Sequence, residues 1–63
     1  MCESAVYLVQ GGRKEKIMDE AISIEDKDGR LIVVGVLGER EEIPRGRIIK
    51  MDMGRHEILV TMR

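Results

Sequence analysis

The chain has 63 residues, with 11 Lys plus Arg against 12 Asp plus Glu for a formal net charge of −1, no Trp, no Phe and a single Tyr. A chain this short buries only about 60% of the surface its unfolded form exposes, and an interior built from Ile, Val, Leu and Met without large rings calls for added burial by self-association, so a homodimer is expected. Balanced charge disfavours a dedicated polyanion binder, one cysteine leaves no internal disulfide, and the lack of a signal-peptide pattern or of a run of roughly 18 apolar residues leads to the expectation of a cytoplasmic protein.

Residues 1–9, Met1-Cys2-Glu3-Ser4-Ala5-Val6-Tyr7-Leu8-Val9, hold the only thiol, the only aromatic ring and the α-amino group. Ala5 to Val9 is continuously apolar and predicts a buried strand. Gly11-Gly12 predicts a hairpin turn that needs positive φ. Arg13 to Met18 carries four charges and predicts an edge strand, with a bend at Asp19-Glu20. From Ala21 strict alternation predicts a half-buried strand with Ile22 and Ile24 on one face and Ser23 and Glu25 on the other. Lys14 to Ile22 is also rich in helix formers, which makes a helix there the second reading.

Asp28-Gly29 predicts another hairpin turn. The run Leu31-Ile32-Val33-Val34-Gly35-Val36-Leu37 has no polar face and predicts a central strand covered on both sides. Gly35 within it marks a bulge or sharp bend of the kind that curls a small sheet. A brief strand should end at Pro44, which has no amide to donate. Arg45-Gly46-Arg47 reads as a loop and Ile48 to Met53 as a strand. His56 to Met62 reads as the last strand, with His56, Ile58, Val60 and Met62 on one face. Turn signals every eight or so residues fit an all-β sandwich or small barrel. The expectation is one domain over residues 1–63, a small β-barrel of about six or seven short antiparallel strands.

Catalysis finds little support. One Cys and one His could form a dyad, yet nothing marks an oxyanion hole, and a chain of this size has little room for a substrate cleft. Cys2 is different. A lone cysteine is most often a small apolar side chain, but Cys2 precedes the apolar strand and is flanked by Glu3 and Ser4, so burial is not its obvious role. With Met1 retained, the terminal amine, the deprotonated Cys2 amide and the thiolate close two five-membered chelate rings. With Met1 removed, the Cys2 amine and sulfur close one. Nitrogen and soft sulfur donors in a planar set suit Ni(II) or Cu(II) better than Zn(II). One chain offers few soft donors; two related by a two-fold axis offer twice as many.

His56 is a further donor, although a lone His is more often structural than ligating. Met18, Met51 and Met62 fall at apolar strand positions and are expected to fill the core. The alternative function is a small RNA-binding β-barrel using Arg45, Arg47, Lys50 and Arg55; Tyr7, the one ring that could stack on a base, lies within an apolar run. A module with no ligand is the reading left if neither holds.

A chain of this length that opens MCESAVYLV, carries GEREEIPRGRIIKMDM at residues 38–53 and HEILV at residues 56–60 resembles the CooT family, whose best-known members are small nickel-binding accessory proteins of carbon monoxide dehydrogenase maturation. The opening Met1-Cys2 is the specific part of the likeness. Hydrogenase accessory proteins of the HypC type share Met-Cys but follow it with proline, a pattern from which Glu3-Ser4-Ala5-Val6 departs. The resemblance implies an all-β small-barrel homodimer that binds Ni(II) through Cys2, with nitrogen donors from Met1 and Cys2. It also implies a secondary role for His56 and a nickel-enzyme client such as carbon monoxide dehydrogenase.

Overall fold

The computed structural model describes residues 3–63. Among these residues six strands make one sheet: β1 (Ser4–Gln10), β2 (Arg13–Lys27), β3 (Arg30–Gly35), β4 (Arg40–Pro44), β5 (Gly46–Asp52) and β6 (Glu57–Met62). The all-β class and the turns expected at Gly11-Gly12 and Asp28-Gly29 are present. Both residues of each pair have positive φ (57° and 78°; 53° and 77°), the backbone signature of the two-residue turn whose twist matches that of the strands.

Between those turns the chain departs from expectation. It forms neither a helix nor two strands with a bend, but one 15-residue strand, β2. The half near Arg13 pairs antiparallel with β1 and the half near Lys27 pairs with β3, so the expected edge segment lies inside the sheet. The register slips by one residue twice against β1 and once against β3, each time with the extra residue on β2. A bulge rotates the following side chain to the other face. Inward positions therefore recur every three residues, at Met18, Ala21 and Ile24, instead of every two. Ile22, expected beside Ile24 on the covered face, is the bulged residue and is 54% exposed.

In β3, Leu31, Ile32 and Val33 are buried, as an apolar run without a polar face requires. The strand stops at Gly35, where an added Cβ would lie 2.6 Å from Glu39 Oε1 and 2.7 Å from Met18 Sδ. Val36 and Leu37 leave in a turn that Glu39 Oε1 closes by accepting from the Leu37 amide at 2.8 Å, and Leu37 is 85% exposed. β3 is not central in the order β4-β3-β2-β1-β6-β5.

Two features correct the antiparallel barrel. β1 and β6 run parallel, Ala5 opposite Glu57 through Leu8 opposite Val60, and among the described residues no hydrogen-bonded ladder joins the edge strands β4 and β5. The sheet curls so that β5 approaches β3 across the concave side. One residue, Arg45 at φ 55°, links β4 to β5. There Gly46 sits so near Ile43 that an added Cβ would lie 2.9 Å from its carbonyl oxygen. From that tight corner the edges diverge, and the seam is open at the end where β1 begins. The core on the concave side comprises Val6, Met18, Ala21, Leu31, Val33, Ile43, Ile58 and Val60.

Candidate functional site

Cys2 and Met1, the residues expected to bind metal, lie outside the described residues. What the structure gives is their approach. Because β1 and β6 are parallel, both strands start at the same end of the sheet. The Ala5 amide donates to the His56 carbonyl at 2.9 Å, so the peptide three positions after Cys2 is tied to the chain's only histidine. His56 is not on the last strand, as expected, but in the turn before it, exposed and at φ 55°. This left-handed conformation is uncommon for a residue with a Cβ, though histidine adopts it more readily than most. Among the described residues no three His, Cys, Asp or Glu side chains are grouped to hold a metal ion.

The open seam ends beside the same strand starts. A groove of about 210 Å³ runs there between β2 and β5, with Ser4 at one rim, Ala21 on the floor and Ile22, Ile48, Met51 and Met53 around it. Met51 is 51% exposed and Met53 71%. Met18 and Met62 pack in or against the core as expected, but Met51 does not, because a bulge at Ile49 places it on the open rim.

The four cations considered for RNA do not gather at one point. Arg45 occupies the β4–β5 corner, whereas Arg55 lies in the turn after β5, its amide donating to Asp52 Oδ1 at 3.0 Å and its Nε 3.9 Å from Glu57 Oε1. Arg47 and Lys50 sit between them, opposite Thr61 and Leu59 on the convex face. That face also carries Tyr7, weighed with them as a stacking ring but set within an apolar run, and two lysines that the sequence analysis had not joined to them. Tyr7 points away from buried Val6, with Lys14 Nζ 4.5 Å and Lys16 Nζ 5.9 Å from its ring centre. The Lys14-Glu15-Lys16 alternation opposite Tyr7 was the available signal, hidden by the apolar neighbours of the ring. A hydrogen bond and then the charge of Asp19, 3.0 Å away, raise the Lys16 pKa above the ordinary lysine value.

A family model described as CO dehydrogenase accessory protein CooT matches residues 1–61. Among solved structures, one described as a candidate CooT from Carboxydothermus hydrogenoformans superposes with a TM-score of 0.87 at 19% sequence identity, covering 98% of each chain. At that identity the superposition shows a shared fold. No curated protein matches.

Proposed function

The chain belongs to the CooT family of CO dehydrogenase accessory proteins, and from that premise we propose that it carries Ni(II) as cargo, held by Cys2 at a homodimer interface, for the maturation of a nickel enzyme such as carbon monoxide dehydrogenase. It acts without catalysing a reaction of its own. The supporting observation is the shared end of the sheet: the groove ringed by Ile22, Ile48, Met51 and Met53 opens beside Ser4, two residues after Cys2. A small core with an uncovered apolar seam gains burial when a second copy covers it. A two-fold axis through that seam would bring two chain starts to one place, and with them two thiolates.

The chemistry asked of the terminus is deprotonation. The Cys2 thiolate, not the thiol, is the metal ligand, and the amine and amide nitrogens must lose protons too. Binding therefore releases protons and weakens as pH falls. His56, with its carbonyl fixed to β1 and its ring exposed, is available as a secondary donor or a hydrogen-bond partner to the ligands. The test is a Ni(II) titration followed by sulfur-to-metal charge-transfer absorption, in the parent protein and in Cys2→Ser. Absorption and tight binding should both disappear in the variant; equal binding by the two proteins contradicts the proposal.

A further inference from the structure

Methionine ordinarily fills gaps in a core, and Met18 and Met62 do so, the first buried and the second packed against the buried residues. Met51 and Met53 do not. Both are more than half exposed, so their side chains add little to the fold, and both border the groove at the end of the open seam. Asp52, between them, turns to the opposite face, where with Lys50 it lines a separate depression. The two thioethers therefore leave one side of the chain, from backbone positions no more than about 7 Å apart.

The rest of the groove decides what two thioethers can hold. Its other lining side chains are apolar except for the hydroxyls of Ser4 and Ser23, and no carboxylate, imidazole or amine of the described residues is among them. A hard divalent cation would find neither charged nor nitrogen ligands there, and an uncompensated double charge is costly to take out of water. Thioethers are soft, neutral donors that select Cu(I). A singly charged soft ion suits an apolar wall that carries sulfur and nothing harder than a hydroxyl.

We propose that Met51 and Met53 form a Cu(I) site on the groove rim, completed by the thiolate of Cys2, two residues before Ser4. With one thiolate and two neutral sulfurs the bound ion carries no net charge, which removes the cost of placing it against apolar side chains. The thioethers need no deprotonation, so they hold Cu(I) at a pH where amine and amide nitrogens keep their protons. Oxidation state and donor type then separate the two metals: Ni(II) takes nitrogen together with sulfur at the chain start, and Cu(I) takes sulfur alone. The site does not require nickel to be the cargo. It also gives the sulfur atoms a use at two positions where leucine would serve an apolar contact equally well.

The test uses the whole protein under anaerobic conditions, with Cu(I) as the probe and a chromophoric Cu(I) chelator in competition. Met51→Leu with Met53→Leu keeps the size and apolar character of the rim while removing both sulfurs, so thermal midpoint and elution volume should match the parent's. Cu(I) affinity should nevertheless fall by at least about 10-fold, the least that even an outer partner of a bound metal contributes. In the parent, Cu(I) should move the isotope-labelled methyl resonances of Met51 and Met53 and leave those of Met18 and Met62 in place. In Cys2→Ser the same two resonances should move, at higher Cu(I) concentration. Met51 and Met53 resonances unmoved in either protein, or Cu(I) affinity unchanged in the double variant, would overturn the site.

Discussion

Truncating the two ends of one apolar run should have opposite consequences. Leu31 and Leu37 belong to the same seven-residue stretch, yet Leu31 is fully buried in the concave core and Leu37 is 85% exposed in the turn that follows β3. Leu31→Ala removes buried carbons from the interior and leaves a cavity, at a cost of about 2–5 kcal/mol. Native stability runs at roughly 0.05–0.15 kcal/mol per residue, which for 63 residues gives about 3–9 kcal/mol, so Leu31→Ala takes a large share of the total. Leu37→Ala should stay within about 0.5 kcal/mol, as surface substitutions do. Urea unfolding of both variants at one fixed protein concentration separates these cases, with a shifted midpoint and an unchanged slope for Leu31→Ala. Equal losses at the two positions would mean that the run continues as a covered strand through Leu37 and that the turn at Val36 to Glu39 is wrong.

Gly46→Ala should destabilise by about 1–3 kcal/mol, because its Cβ would press on the Ile43 backbone at 2.9 Å, whereas Gly54→Ala meets its nearest neighbour at 3.8 Å and should be nearly neutral; thermal midpoints of the two variants check this. Ile22→Asp or Met53→Asp puts a charge on the groove rim at a position already exposed (54% and 71%), so the fold should survive while sizing in solution shows loss of the dimer proposed for the parent chain; a monomeric parent, or a variant dimer as stable as the parent's, contradicts the proposed interface. Lys16 contributes stability that is present below the unfolded lysine pKa and lost only as pH rises through its higher folded value. Because the pair with Asp19 is solvent-exposed, Lys16→Met should leave the neutral-pH midpoint unchanged within error in moderate salt.

Much of the fold was readable because its signals are local. Glycine pairs and Asp-Gly fix two-residue turns, and Ile58, Val60 and Met62 alternate along β6 with their side chains toward the core. What failed has one physical source in each case. Three one-residue offsets along β2 shift the inward side chains from every second position to every third, which made a continuous strand look like an edge strand, a bend and a second strand. The parallel pairing of β1 with β6 joins residues about 50 positions apart, and no local pattern specifies it. Tyr7 was assigned to an interior because Ala5 and Val9, on its own face, are also apolar. The terminal chelate is the reverse case: it follows from the bond connectivity of Met1 and Cys2 and needs no tertiary structure to be proposed.

The nickel reading stands on two chains sharing one ion through their Cys2 thiolates. Native mass measurement of the protein at increasing Ni(II), with Cys2→Ser alongside, tests this directly. One Ni(II) per two chains is expected, with no metal retained by the variant dimer. One ion per single chain, or a Cys2→Ser dimer that still holds nickel, would contradict it.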